Sequence, residues 1–163
     1  MSTRAVIAAY TNRELGQWRG TYHHFDGYPS GLGKALWQLY HEFYEGLLPA
    51  MVEMLIDAHP QGWSSIIDAD WNLRPTWIDD RSAWYKADKK LPPLSYKYRP
   101  GEEHNESYID QTTDSWQEWA YVFDLERQTM TVFERIGSWD TVNYRQVATL
   151  PLSESEPTWT AFE

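Results

Sequence analysis

The fold of this chain is decided by one stretch, WAYVFDLERQTMTVFERI, which covers residues 119–136. Aromatic residues at positions 119, 121 and 123 alternate with the residues at 120, 122 and 124, and this period of two is typical of a β-strand. The polar run 126–129 predicts a turn, and the run 130–136 carries Val132 and Phe133. The stretch therefore predicts a β-hairpin.

Four more strands are expected outside this hairpin. The apolar run Ala5–Tyr10 predicts a first strand, and Trp18–Phe25, rich in aromatic and β-branched residues, predicts a second strand that pairs with it as a hairpin. A short strand is expected at Trp63–Asp68, and Val142–Leu150 predicts the last strand. From Pro151 onward we expect an irregular tail.

Two helices are expected after the second strand. The first runs from Ser30, placed as an N-cap, to about Tyr44, and the second runs from about Leu47 to Ala58. Pro49 falls in the first turn of the second helix, where its missing N–H costs nothing. The expected buried stripes consist of Leu32, Leu36, Leu39, Tyr40 and Phe43 in the first helix and of Leu48, Val52, Leu55 and Ile56 in the second.

The regular pattern is lost between about residues 69 and 115. Pro75, Pro92, Pro93 and Pro100 interrupt this segment, and neither a helical nor an alternating period persists. We therefore expect a long irregular insert there. The order of elements predicts a single α+β domain over residues 1–163, in which a mostly antiparallel sheet carries the helical pair packed on one face.

Composition excludes several functional classes. The 163 residues include 24 acidic and 14 basic side chains, a net charge of −10, and no cysteine. Without cysteine the chain has no disulfide, thiolate metal site or cysteine nucleophile. The negative charge argues against direct binding of nucleic acid or of anionic membranes, and no apolar run is long enough for a membrane span. We expect a soluble, cytoplasmic protein without a cofactor.

Charge is distributed unevenly along the second half of the chain. Residues 101–126 contain eight carboxylates and no lysine or arginine, whereas the charged residues within 81–99 are all basic except Asp88. One interpretation is a solvated acidic face with ion pairing inside the chain. The other is an acidic surface, framed by aromatic residues, that occupies the nucleic-acid site of a basic host protein. The candidate partner-binding residues are Glu102, Glu103, Glu106, Tyr108, Asp110, Asp114 and Trp116.

The densest polar cluster is YHHFDGYP, residues 22–29, at the end of a strand and the start of a helix. Asp26 and Gly27 are common turn residues, so a purely structural turn is one interpretation. The other is a pocket for a small ligand or nucleotide, with or without hydrolytic activity, where glycines open the helix. The candidate pocket residues are Arg4, Arg19, His23, His24, Asp26 and Tyr28.

The sequence favours neither a metal site nor an established catalytic template. Regular alternation places His23 and His24 on opposite faces of the strand, and His41, His59 and His104 lie at no recognisable ligand spacing. The chain has no G-x-S-x-G, H-E-x-x-H, G-x-x-x-x-G-K-[ST] or G-x-G-x-x-G motif. We therefore assign no metal ligand and no catalytic residue.

The run Gly20–Gly33, preceded by Ser2-Thr3-Arg4, resembles a group of small uncharacterised proteins from bacteriophages and actinobacteria. In that group the segment reads Ser-Thr-Arg, then Tyr-x-His-Trp-Asp-Gly-Tyr-Pro and a helix start with glycine. Phe25 stands here where tryptophan is usual. The resemblance covers roughly the first third of the chain and carries over no activity. It implies a soluble, phage-linked protein.

These features favour a non-enzymatic acidic binding protein, linked to a phage or mobile element. Its expected role is to inhibit a host nucleic-acid-handling or defence complex by contacting a host protein with a basic surface. The alternative is a ligand-binding or hydrolytic pocket at the His23–Tyr28 turn. An immunity or structural protein without a pocket is a third interpretation.

Overall fold

The computed structural model describes residues 2–57, 62–63, 65–67 and 108–163. Five strands form one sheet: β1 is Ala5–Asn12, β2 is Gln17–His23, β3 is Trp119–Asp124, β4 is Thr129–Ile136 and β5 is Asn143–Pro151. Their spatial order is β2-β1-β3-β4-β5. All five strands lie within two residues of stretches that the sequence predicts as strands.

The sheet is mixed and mostly antiparallel, as expected. The pairs β1–β2, β3–β4 and β4–β5 are antiparallel. The central pair, β1 and β3, is parallel, and its register runs from Ala5 opposite Trp119 to Ala9 opposite Phe123. Parallel neighbours need a long crossover connection, and here that connection includes the helices.

Two helical segments follow β2. The first consists of a π-helical turn Pro29–Gly33, an α-helix Lys34–Gln38 and a second π-helical turn Leu39–Phe43. The second consists of an α-helix Leu48–Val52 and a π-helical turn Glu53–Asp57. Pro49 lies in the first turn of the second segment, as its missing N–H predicts.

The helical segments pack on the face of the sheet that the odd-numbered residues of β1 and β3 form. Ile7, Tyr121 and Phe123 from the sheet meet Leu36 and Leu55 from the helices, and all five are fully buried. Every residue of the two predicted helical stripes is buried except Phe43, which is half-buried against this core. The α+β architecture with a helical pair on one face is therefore confirmed.

The opposite face of the sheet carries a smaller apolar cluster. Its fully buried members are Val6, Ala8, Ala120 and Val122. The ring of Trp18 packs with them, and its centroid is 5.4 Å from that of Phe133 and 5.4 Å from that of Tyr144. Both faces of the sheet therefore bury apolar side chains.

The prediction of a strand at Trp63–Asp68 was wrong in the described part of that segment. Trp63 forms one isolated parallel bridge with His23, and its indole N–H donates to the Leu55 carbonyl at 2.8 Å. Trp63 and Ile66 are buried in the helix-side core. Apolar side chains that look like a strand in sequence fill the core here instead of extending a ladder.

Ser30 is not an N-cap, because Tyr28 holds that position and no side chain caps the helix. The backbone N–H and the hydroxyl of Ser30 both donate to Oε1 of Glu163, at 3.0 and 2.6 Å. The tail is also more ordered than predicted. It contains a 3₁₀ helix, Trp159–Phe162, whose first residue is buried and packs edge-to-face on Trp37.

The predicted irregular insert, about residues 69–115, lies outside the described residues except for residues 108–115. In that part, Ile109 forms an antiparallel bridge with Gly20 on the outer edge of β2. Among the residues that the structure describes, no helix is long and apolar enough to cross a membrane.

Candidate functional site

The turn after β2 and the part of the acidic segment next to β3 lie at the same end of the sheet. The pairs His23–Ala5, Ala5–Trp119 and Trp119–Glu134 align the end of β2 with the starts of β1 and β3 and with the end of β4. Beyond the strand ends, the Glu118 N–H donates to the Arg4 carbonyl at 2.8 Å. The polar turn after β2 and the aromatic residues that flank β3 and β4 are thus presented on one side of the molecule.

The turn after β2 uses its backbone groups internally. The Gly27 N–H donates to the Thr3 carbonyl at 2.8 Å, and the Gly27 carbonyl accepts from the buried Tyr121 hydroxyl at 2.6 Å. The Leu32 N–H donates to the Asp26 carbonyl at 2.9 Å. A Cβ on Gly27 would lie 2.7 Å from both the Thr3 carbonyl oxygen and the Ala5 Cβ, so this position excludes any side chain.

His23 belongs to the core and not to a surface pocket. It is fully buried, and its Nε2 accepts the Ile66 N–H at 3.0 Å, so the proton of the neutral ring lies on Nδ1. Burial and the neighbouring His24 lower the pKa of His23 to about 3. This histidine therefore stays neutral at physiological pH.

His24 lies outside the core and contacts two aromatic residues among those the structure describes. Its Nδ1 shares a 2.6 Å hydrogen bond with the Tyr22 hydroxyl, and its ring meets Phe25 edge-to-face at a centroid distance of 4.4 Å. Partial burial and the charge of Arg4 lower the pKa of His24. Arg4 is thus near enough for its charge to act on His24. Tyr22 and Phe25 are the residues that contact the His24 ring.

The other pocket candidates point elsewhere. Arg19 forms a bidentate ion pair with Asp57 at the end of the second helical segment, at 3.0 and 3.2 Å. The exposed Asp26 meets the Tyr28 hydroxyl at 3.4 Å, and the charge of Asp26 raises the pKa of Tyr28. Asp26 has a φ of +55°, a conformation that aspartate tolerates in turns.

The acidic segment is partly neutralised inside the chain. Asp110 accepts from the backbone and hydroxyl of Thr112 at 2.8 and 2.6 Å, and these bonds lower the pKa of Asp110. Arg135 lowers the pKa of Asp114, to which it donates at 2.8 and 3.3 Å. Tyr108, 45% exposed, donates to Asp57 at 2.9 Å. Glu102, Glu103 and Glu106 lie outside the described residues.

Two tryptophans form the most exposed aromatic pair among the described residues. Trp116 is 65% exposed and Trp139 is 50% exposed, and their rings lie nearly parallel, at 21°, with centroids 6.1 Å apart. We call these two residues the tryptophan platform. Five other described tryptophans are buried, so an exposed indole is the exception among the tryptophans that the structure describes. The buried ones are Trp18, Trp37, Trp63, Trp119 and Trp159.

The tryptophan platform is fixed from below. The Arg135 guanidinium lies 4.4 Å from the Trp139 ring centroid, and its side chain is only 3% exposed. Arg135 also holds Asp114, which in turn accepts the Trp116 N–H at 3.0 Å. One ion pair therefore positions both indoles, one through a cation–π contact and one through the backbone.

Trp116 is held in a strained backbone conformation. Its φ is +62°, which a bulky residue adopts only where the surroundings impose it. Such conformations cost of order 1–3 kcal/mol and concentrate at functional positions. Here the strained residue is also among the most exposed large side chains, so core packing does not explain it.

A cavity of about 420 Å³ lies at the other end of the sheet, between the β1–β2 and β3–β4 turns. Its charged lining is already paired, since Arg13 donates to Asp124 at 2.7 Å and lies 3.7 Å from Glu126. None of the sequence-predicted site residues lines it. Within the described part of the chain, no three His, Asp or Glu side chains are grouped to hold a metal ion.

Comparisons of the chain with protein-family models, with curated proteins and with solved structures gave no match. The function of the site must therefore follow from the geometry of the site itself. That geometry adds two residues that the sequence analysis did not select, Trp139 and Arg135. The available signal was an indole within the polar connection Gly137-Ser138-Trp139-Asp140, where no core position is expected.

Proposed function

We propose that this chain is a non-enzymatic binding protein that contacts a basic surface of a protein partner through the tryptophan platform. The observation that carries this proposal is the pair of exposed, nearly parallel indoles held by a buried arginine. Tryptophan is enriched among the residues that dominate binding energy at interfaces. Rigid aromatic anchors also lose little conformational entropy on binding.

The basic character of the partner follows from charge. The chain has a net charge of −10, and Asp114 and Asp140 adjoin Trp116 and Trp139 in sequence or in space. Indole faces attract cations, and this attraction grows when water is excluded. A lysine or arginine of the partner would meet both an aromatic face and nearby carboxylates, and long-range attraction would speed association.

The carboxylates of the acidic segment are less available to a partner than the indoles. Asp110 and Asp114 are engaged within the chain, so their carboxylates serve the local structure first. The indoles of Trp116 and Trp139, by contrast, are at least half exposed to solvent. The partner class that fits best is a protein whose basic surface handles nucleic acid, such as a host defence or replication component, which the chain would occlude.

A matched pair of variants tests the proposal. Tagged protein and the Trp116→Ala, Trp139→Ala double variant are used to capture proteins from host lysate at low and high salt. Leu15→Ala is the control, because Leu15 is 68% exposed and lies in the β1–β2 turn, at the other end of the sheet. We expect the wild type to capture a basic protein, and we expect less of it to be captured at high salt. The amount captured should fall at least about tenfold in the double variant and should not change in Leu15→Ala.

Charge reversal separates the aromatic from the acidic contribution. Glu102→Lys, Glu103→Lys and Glu106→Lys combined should weaken capture mainly at low salt if those carboxylates act through long-range attraction. Undiminished capture by the tryptophan double variant would contradict the proposal. Salt-insensitive capture would contradict the basic character of the partner.

The pocket at the His23–Tyr28 turn is a second candidate. The hydrogen bond between Tyr22 and His24, together with the charge of Arg4 that lowers the pKa of His24, favours it. A small molecule that co-purifies with the wild type and is lost in a folded His24→Ala, Asp26→Ala variant would support it. Unchanged function of that variant would remove it.

A further inference from the structure

Within the described part of the chain, the two edges of the sheet differ in how their outward backbone groups are paired. On the outer edge of β2, Gly20 exchanges two backbone hydrogen bonds with Ile109, at 2.7 and 3.0 Å. Trp63 donates to the Tyr22 carbonyl at 2.7 Å and accepts the His24 N–H at 3.1 Å. The Trp18 N–H donates to the Gln111 side chain at 3.1 Å. Four alternate residues of this edge are therefore covered.

The outer edge of β5 is open over the described residues. No strand or bridge among them pairs with it, although β5 is the longest strand of the sheet at nine residues, about 30 Å. The side chains of Asn143, Arg145, Gln146 and Thr149 are exposed. Arg145, the one charged residue of β5, is paired with Glu134 on β4.

Sheet edges that must stay unpaired usually carry charged side chains (lysine above all), prolines, β-bulges or a covering segment. β5 has no lysine, and its proline is the terminal residue Pro151. A register shift between Val132 and Phe133 leaves Val147 as an extra residue in β5, which divides the edge into two halves. The half Asn143–Gln146 adjoins the connection that carries Trp139.

We infer that the outer edge of β5 receives an extended, basic segment of a protein partner as an added strand. This inference rests on the proposed function for the nature of that partner and names its mode of binding. Strand addition obtains affinity from main-chain hydrogen bonds and selectivity from alternate side chains. The tryptophan platform lies at one end of this edge, so one partner can contact both.

Charge favours a basic segment over a second copy of this chain. Acidic residues flank β5 on both sides, with Asp140 before it and Glu154 and Glu156 after it. In an antiparallel pairing of two β5 strands, Asp140 of one copy would face the Glu154 end of the other. Each copy also carries a net charge of −10. Like charges oppose that dimer, whereas a basic segment meets carboxylates at both ends.

The test uses the full chain, labelled with ¹⁵N, and an end-blocked nonapeptide of alternating lysine and threonine. We expect the alternate β5 amides that do not face β4 to gain at least about tenfold protection from hydrogen exchange when the peptide is added. The same peptide with glutamate in place of lysine, and one with N-methylated alternate amides, are the controls. Both should give no protection.

A matched pair of variants adds a graded readout. Gln146→Lys should weaken binding of the lysine peptide about threefold and Gln146→Glu should strengthen it by a similar factor, as expected for exposed charge pairs. Equal binding of the glutamate or N-methylated peptide, or no change at β5, would overturn the inference. Protection of β5 that grows with protein concentration alone would overturn it in favour of a second copy.

The Trp116→Ala, Trp139→Ala variant keeps this test separate from that of the proposed function. If the peptide protects the β5 amides from hydrogen exchange in that variant, strand addition is supported, even if lysate capture shows that the tryptophan platform does not contribute to binding. Loss of lysate capture in that variant together with an unresponsive β5 edge would retain the proposed function and overturn strand addition.

Discussion

The turn at His23–Gly33 and the tryptophan platform lie at one end of the same sheet, but they use their residues in opposite ways. The turn has the denser polar motif, yet its backbone bonds to Thr3, Tyr121 and Leu32, and its first histidine is in the core. The platform has no recognisable motif, yet it exposes two large side chains that the chain holds in place. The polar motif of the turn therefore serves the structure of the chain itself. The exposed indoles, which are held in place by other residues, are the better candidates for binding a partner.

The largest expected effect tests the structural role of the turn. Gly27→Ala should lower the free energy of unfolding by about 3 kcal/mol, because the new Cβ would overlap the Thr3 carbonyl and the Ala5 methyl group. Gly16→Ala is the control, since Gly16 has a φ of +64° but no atom within 4 Å of the added group. We expect about 1 kcal/mol there. Equal losses in urea titrations would contradict a tightly packed turn.

The next largest effect is a loss of stability at acidic pH that arises from His23. Because the folded pKa of His23, about 3, lies below its unfolded value, the unfolded state binds more protons between those two values. The contribution of His23 to the free energy of unfolding is therefore fully present well above pH 6.5. Below that pH the free energy of unfolding falls by up to about 1.4 kcal/mol per pH unit, and the loss amounts to about 2 kcal/mol at pH 5. His23→Gln should remove this slope in unfolding titrations from pH 7 to 5. A slope that persists in the variant would place its origin elsewhere.

A smaller loss is expected when the turn loses one hydrogen bond. Tyr121→Phe leaves the Gly27 carbonyl without its buried hydroxyl donor, which should cost about 1.5 kcal/mol. Tyr28→Phe is the matched control in the same turn, because the Tyr28 hydroxyl is at the surface and 3.4 Å from Asp26. We expect no measurable change in thermal unfolding for the control. The same midpoint for both variants would contradict the internal role of the turn.

The smallest effect belongs to the platform. Trp116→Gly removes an exposed side chain and relieves a φ of +62°, so stability should stay equal or rise by about 0.5 kcal/mol. Trp119→Ala, three residues along, removes a buried indole and should cost about 3 kcal/mol. A large loss in Trp116→Gly would show that the platform is structural, and the contrast between the two regions would fail.

Much of the fold follows from the local sequence. The five strands and both helical segments occur where periodicity predicts them, because burial of one face selects the same residues in sequence and in space. The parallel pairing of β1 with β3 was not predicted. It depends on which strands meet after the helices pack, and nothing in the β1 or β3 sequence alone encodes that choice.

The site was less predictable for a physical reason. Arg19 looks like a pocket residue until the second helical segment brings Asp57 to it, and Asp114 looks like free acid until β4 brings Arg135. Ion pairs between distant residues cannot be read from spacing along the chain. Trp139 was visible as an indole in a turn, but its importance appears only beside Trp116.

The parallel seam between β1 and β3 also bears on how the chain folds. In the two hairpins, β1–β2 and β3–β4, the paired strands are separated by short loops. Ala5 and Trp119, which pair between β1 and β3, are separated by most of the sequence. Loop closure of that length carries a large entropic cost and slows folding. The β1–β3 pairing is therefore expected to form late, and folding rates that respond more to substitutions in the β1–β3 pairing than to substitutions in the β3–β4 turn would contradict that order. Because the cost of closure grows only with the logarithm of length, the connection between the seam strands can accept insertions with little loss of stability.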